Sequence, residues 1–268
     1  MYRVLVLTAI NFLLTVYLMP MLTEMIRPRQ AGLNYQNQEV PIGLGLVFIL
    51  TVVPITVLAI FLRAVPLSTG VIYIITILSF GFLGIIDDTI GSREARGFTG
   101  HFRALFQGLL TTGAIKALFG VILAFLVAVI KADGVINTIL NVFSITLFAN
   151  LFNLLDVRPG RAGKFYLFWF LLSYIFGYPS IIMLFLLAAV IGYLPWDLKA
   201  EVMMGDVGSN VLGAIIGLSV TEFSITNKVI VVVVLAIIHL YAEKASLSQL
   251  IEKIPILNYI DNIGRKKV

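Results

Sequence analysis

Asp87 and Asp88 stand side by side in Gly84-Ile85-Ile86-Asp87-Asp88-Thr89, at the end of a long apolar run and ahead of a charged, glycine-bearing stretch. Adjacent carboxylates repel unless a cation or a shared proton lies between them, and a chain needs no acid to leave a bilayer. A metal-assisted phosphate site is the first chemistry such a pair suggests. The plainer alternative is that the two acids only mark the end of a helix. The stretch that follows, Gly91 to Arg103, carries Arg93, Arg96, His101 and Arg103 among glycines. Cationic donors on flexible backbone suit a phosphate or pyrophosphate, although ordinary membrane topology also places arginines in such a loop.

Two further polar clusters interrupt apolar sequence. Asn150, Asn153 and Asp156 recur every third residue in Asn150-Leu151-Phe152-Asn153-Leu154-Leu155-Asp156, which puts them along one side of a helix. A polar stripe of this kind faces a cavity or bonds to a partner helix. A basic glycine-containing loop, Val157 to Lys164, follows with Arg158 and Arg161 as candidates to hold an anionic group. The third cluster is Met204-Gly205-Asp206-Val207-Gly208-Ser209-Asn210. Asp206 either caps the helix that opens here or binds a metal while the helix N-terminus, with Gly208 and Ser209, faces phosphate oxygens. Carboxylates suit Mg2+, with Mn2+ as its substitute. A zinc site would have only His101 and His239 to draw on, and His239 falls in an apolar run as a packed residue.

These residues need helices to position them. The 268 residues are 60% hydrophobic and 12% charged, with no cysteine, whereas a soluble domain is charged at about a quarter of its positions. Disulfides, thiol catalysis and cysteine metal sites are excluded. The expected class is all-α: a polytopic membrane helix bundle of about nine transmembrane helices plus a C-terminal interfacial amphipathic helix. The spans fall at about 3–22, 42–62, 70–86, 103–130, 135–154, 165–177, 179–195, 208–222 and 228–242. The first is expected to be retained, since it lacks a cleavage pattern. The fourth is overlong, and the sixth and seventh meet in a tight turn at Gly177-Tyr178-Pro179. Residues 1–242 form a single transmembrane domain of catalytic type, and 243–268 a cytoplasmic amphipathic tail with Leu247, Leu250, Ile251, Ile254, Leu257 and Ile260 at helical spacing, bent at Pro255.

Most Lys and Arg side chains fall in the loops of one side, among them Arg27, Arg93, Arg158, Arg161, Lys199 and Lys244. The positive-inside rule makes that side cytoplasmic, with the N-terminus outside and the C-terminus inside the cell membrane. The net charge of +5 expresses topology and anionic lipid contact, so no nucleic-acid partner is implied. The same orientation brings Asp87, Asp88, Asn150, Asn153, Asp156 and Asp206 to cytoplasmic helix ends, where a water-soluble substrate meets a lipid head group.

The order Gly-x-Ile-Asp-Asp, basic loop, Asn-x-x-Asn-x-x-Asp, Met-Gly-Asp-x-Gly-Ser resembles the polyprenyl-phosphate N-acetylhexosamine-1-phosphate transferases, over most of the chain from Pro41 to Asn210. The resemblance implies Mg2+-dependent transfer of a sugar-1-phosphate from a UDP-sugar to a polyprenyl phosphate, releasing UMP, in cell-wall glycan synthesis such as that of peptidoglycan. It also implies site roles. Asp87 and Asp88 match the paired aspartates that act on the lipid phosphate or near the metal, Asp206 matches the Mg2+ ligand, and Asn153 and Asp156 match the helix end that meets the nucleotide-sugar. Pro41, Gly43 and Gly45 resemble the first cytoplasmic loop. The chain departs from the pattern in three places. No second acid follows Asp156, Gln38 and Glu39 stand where a lysine is common, and the tail replaces a His-rich loop and a tenth span. A non-catalytic relative that binds polyprenyl lipid or scaffolds glycan assembly is the competing reading, and a homodimer stays open.

Overall fold

The computed structural model describes residues 1–90, 112–131, 134–175, 177 and 179–266, with the side chains of 112–117 and 131 set apart. Eleven helices and one short hairpin account for its order among the described residues: α1 (Tyr2–Ile26), β1 (Ala31–Leu33), β2 (Glu39–Pro41), α2 (Leu46–Phe61), α3 (Leu67–Ile90), α4 (Thr112–Lys131), α5 (Val135–Leu155), α6 (Arg161–Ile175), α7 (Ile181–Leu198), α8 (Gly205–Val220), α9 (Ile225–Lys244), α10 (Leu247–Lys253) and α11 (Pro255–Asn262). The class is all-α, as expected. Helices suit such apolar sequence because lipid offers backbone groups no partner, and a helix satisfies them within itself.

Five of these helices, α1, α3, α5, α7 and α9, are long and apolar enough to cross a membrane, and the protein is a multi-pass membrane protein. α8 is shorter because it never meets lipid. Every residue from Val207 to Val220 is buried, and α8 packs most extensively against α5 and α3. Small residues make that approach close: a Cβ added at Gly217 would lie 2.4 Å from Ile145 Cα, and one at Gly213 2.3 Å from the Phe148 carbonyl oxygen. This is the small-xxx-small packing of membrane helices. α1 docks on α7 and α2, helped by Asn11, whose amide donates to the Phe185 carbonyl at 2.7 Å. α9 leans on α5 alone among its larger contacts and turns Ile230, Val233, Val234 and Ile237 outward, an apolar face suited to acyl chains.

Two expectations are redrawn. The segment Arg161 to Lys164 is the first turn of α6 and not loop. Cations at a helix N-terminus oppose the helix dipole; here the opposition is offset by Asp261, which pairs with Arg161. The tail is two helices, separated at Ile254 by extended backbone just before Pro255, since proline forbids the helical conformation in the residue it follows. The turn between α6 and α7 includes Gly177 at φ +80°.

Burial pushes the Asp261 carboxyl up, but the hydrogen bond and charge of Arg161, together with Arg265, outweigh it and hold Asp261 below its ordinary value. With the folded value below the unfolded one, the clamp contributes fully above the unfolded value and is lost as pH falls through the folded one. Limited proteolysis with an acid-active protease is therefore expected to leave residues 247–266 protected down through the ordinary carboxylate range and to cut there only at more acid pH.

Candidate active site

The site is built around the N-terminus of α8. The first residue, Gly205, has φ +73° and sits against Gly43 and Asp88. Backbone N–H groups at this helix end have no intrahelical partners, and a carboxylate from α3 takes two of them. Asp156 lies near enough to Gly205 N–H for that dipole to favour its carboxylate. Asp206 N–H donates to Asp88 Oδ1 at 2.9 Å, and Val207 N–H to Asp88 Oδ2 at 3.1 Å. Charge-assisted bonds to the positive end of a helix dipole are favourable twice over. Asp88, which the sequence offers as a catalytic acid, is therefore also the cap of a neighbouring helix.

Asp87 lies one residue away on α3, half-buried. Asn153, on the last turn of α5, accepts a hydrogen bond from the Ser209 hydroxyl. The structure thus brings Asp88, Asn153, Asp156, Asp206 and Ser209 to one end of the bundle, on α3, α5 and α8 and, for Asp156, just past the end of α5. Asn150 is half-buried one turn earlier on α5. Gly208 packs against Gly45: a Cβ there would lie 2.7 Å from Gly45 Cα. Arg96, His101 and Arg103 lie outside the described residues.

Arg158 and Arg161 follow the same cluster but turn to the tail. Arg161 pairs with Asp261 at 2.8 Å, both side chains buried, and Arg158 lies over the Tyr35 ring at 5.1 Å with Glu252 at 3.5 Å. His239 is buried in α9 with Nδ1 2.7 Å from the Leu235 carbonyl oxygen.

Several supporting residues carry no motif of their own. Gln30 Nε2 donates to the Asp88 carbonyl at 3.1 Å. Asp197, buried in the last turn of α7, accepts from Gly160 N–H at 2.9 Å and so ties down the loop after Asp156. The first loop supplies the rest: Gly43 and Leu44 N–H donate to the Met203 carbonyl at 3.2 and 3.1 Å, and Gly45 N–H to that of Met204 at 2.9 Å. Nothing in the sequence around Asp197 marks it as the partner of Gly160, whereas the glycines of the 41–45 loop do signal a close backbone approach.

The electrostatics are those of an acid cluster. Asp156 follows the last residue of α5. Burial, and then the charges of Asp197, Asp206 and Asp88, push its carboxyl well above the ordinary value against the pull of Gly205 N–H. Excess negative charge of this kind favours a bound cation. Among the described residues no three His, Asp or Glu side chains converge tightly enough to hold a metal alone. Mg2+ usually takes one or two protein carboxylates and completes its shell with water and substrate phosphate, so the donor set fits that ion.

Replacing Asp88 separates its two roles. Asp88→Ala is expected to lower stability by about 1–3 kcal/mol, the usual penalty for buried donors left without an acceptor. Asp88→Asn keeps one carbonyl acceptor and loses less. Thermal unfolding in detergent of the two variants beside the parent checks the order; equal stability of all three would remove the cap.

Membrane helices converging on an acidic cluster define a class, the multi-pass membrane protein with a candidate active site at one end of its helix bundle. Comparison gives the family: the model described as glycosyl transferase family 4 matches residues 70–224, which run from within α3 to the residue before α9 and include all five converging site residues. The chain belongs to that family. It is also 25% identical over 249 residues to the phospho-N-acetylmuramoyl-pentapeptide-transferase of Petrotoga mobilis (strain DSM 10674 / SJ95), covering 81% of this chain and 74% of the relative.

Proposed function

We propose that the protein transfers a sugar-1-phosphate from a UDP-sugar to a polyprenyl phosphate at the cytoplasmic face of the cell membrane, with Mg2+ and release of UMP. The single observation that carries this reading is the convergence of Asp88, Asp156 and Asp206 at the N-terminus of α8, within a chain that belongs to glycosyl transferase family 4. The similarity to a phospho-N-acetylmuramoyl-pentapeptide-transferase supports the phosphosugar class.

The chain's own groups divide the work. Asp206, presented on the first turn of α8, would hold the metal. Asp88 keeps α8 in place while Asp87, beside it, faces the incoming lipid phosphate. Asn153, fixed through Ser209, and Asp156 meet the nucleotide-sugar. Bound Mg2+ would neutralise the crowded phosphate oxygens, which is the main stabilisation such a transfer needs. A general base is not essential, because a phosphate monoester is already largely ionised near neutral pH.

Purified protein in lipid nanodiscs, given radiolabelled UDP-sugars and undecaprenyl phosphate, is expected to form a lipid-linked product and UMP only when Mg2+ or Mn2+ is added. Lipid binding without turnover of any donor would replace this reading with the non-catalytic one.

A further inference from the structure

Residues 247–266 have two faces of opposite chemistry. On one, the buried Asp261 takes the Arg161 guanidinium through two parallel hydrogen bonds of 2.9 and 2.8 Å, and Arg161 reaches Ser248 Oγ at 2.8 Å. Arg265 donates to Asp261 at 3.0 Å and to the Pro159 carbonyl at 3.3 and 3.1 Å. Lys164 Nζ donates to the carbonyls of Ile260 and Asp261 at 3.0 and 2.7 Å, and Lys266 N–H to that of Leu198 at 3.1 Å. Apart from the Arg265–Asp261 bond, which stiffens the tail itself, each of these bonds grips the loop after Asp156, the first turn of α6 or the end of α7.

The other face is bare. Ile256 is 71% exposed and Tyr259 72%, with Ile260 and Ile263 also exposed. On a helix positions 256, 259, 260 and 263 gather into one stripe, and Asp261 points away from it. Helices as short as α10 and α11 are marginal by themselves, and such a stripe in water gains nothing. Only Ala245 and Ser246 separate α9 from α10, so the segment cannot stray far from the membrane surface where α9 ends. Lys253 and Lys266 are exposed on the same segment, suited to lipid head groups.

We propose that residues 247–266 form an interfacial clasp: the Ile256, Tyr259, Ile260 and Ile263 stripe enters the lipid surface while Asp261 grips Arg161, so that the bilayer itself holds the loop following Asp156 in place. The partner is lipid, and the contact does not depend on the transferase reading.

The chain has no native cysteine, so one nitroxide can be placed cleanly. Full-length Tyr259→Cys protein, spin-labelled in nanodiscs of phosphatidylcholine and phosphatidylglycerol, is expected to be relaxed more by oxygen than by a water-soluble nickel chelate. A label at exposed Glu201→Cys, in the turn between α7 and α8, is expected to show the reverse. Adding Ile256→Asp and Ile263→Asp, both surface changes, is expected to move the 259 label toward the nickel-accessible side, and adding Asp261→Ala to sharpen its spectrum as the segment loosens. Nickel-dominated relaxation at 259, no shift with the two aspartates, or an unchanged spectrum with Asp261→Ala would each overturn the clasp. None of these readouts needs turnover, so failure here is separable from failure of the proposed reaction.

Discussion

Asp206→Ala is expected to abolish Mg2+-dependent transfer while the protein still expresses, folds and binds detergent or lipid as before. The two consequences separate because Asp206 acts through two different groups. Its backbone N–H reaches Asp88 Oδ1 at 2.9 Å, and alanine keeps that N–H, so the cap between α3 and α8 survives. Its carboxylate contributes to the helix dipole about 0.3–1 kcal/mol, part of which is offset by relief of its repulsion with Asp156. Against this stands the loss of the metal that the proposed reaction calls for, which would supply several kcal/mol of charge stabilisation to phosphoryl transfer. A loss of about 4 kcal/mol corresponds to roughly a thousandfold in rate. Initial rates across an Mg2+ titration, with thermal unfolding measured on the same sample, check both halves. Normal turnover in the variant would remove Asp206 from the metal site.

The fold was legible where one physical rule dominated. Lipid forbids unsatisfied backbone, so long apolar runs had to be helices, and α3, α5, α7 and α9 lie close to the boundaries that hydrophobicity alone sets. α8 was legible as a helix but not as the axis of the bundle. Its centrality rests on Gly213 and Gly217 meeting α5 backbone, and a glycine in sequence does not name the helix it will touch. The start of α6 was missed because Pro159, Gly160 and two cations look like loop. Their charge is balanced by Asp261, a hundred residues further along the chain in the Arg161 bonds, a distance over which no local pattern speaks.

The candidate site divides in the same way. Spacing set Asn153 and Asp156 along one side of the end of α5, and membrane orientation set Asp88 and Asp206 at helix ends of the same side. That Asp88 caps the helix bearing Asp206 could not be seen, because a cap between helices depends on geometry that neither segment encodes by itself. Nor could Asp197 be singled out, since an acid at a helix end has many ordinary explanations until Gly160 is seen to donate to it. In the tail, helical spacing in the sequence picked out Leu247, Leu250, Ile251, Ile254, Leu257 and Ile260. Of these only Ile260 belongs to the Ile256, Tyr259, Ile260 and Ile263 stripe, and the grip on Arg161 could not be seen.

Gly84→Ala is expected to disrupt both the fold and the site, although it adds a single methyl group and lies outside any charged cluster. α3 crosses the N-terminus of α8 at Gly84, so close that a Cβ there would lie 2.3 Å from the Asp206 carbonyl oxygen and 2.3 Å from Val207 Cα. Both neighbours are backbone, so no side chain can rotate aside, and the helices must separate. Overpacking typically costs about 1–3 kcal/mol, more when the surroundings cannot yield, and here the separation also pulls Asp88 from the two N–H groups it caps. Gly120→Ala is the internal control. Its nearest side-chain neighbour, Leu83 Cδ1, would be 4.0 Å away, and alanine favours a helix over glycine by about 1 kcal/mol. Thermal unfolding is therefore expected to fall sharply for Gly84→Ala, with transfer activity lost, and to hold or rise for Gly120→Ala. Equal stability of the two variants would mean that α3 and α8 do not meet at Gly84, and that Asp88 and Asp206 are not held together by that contact.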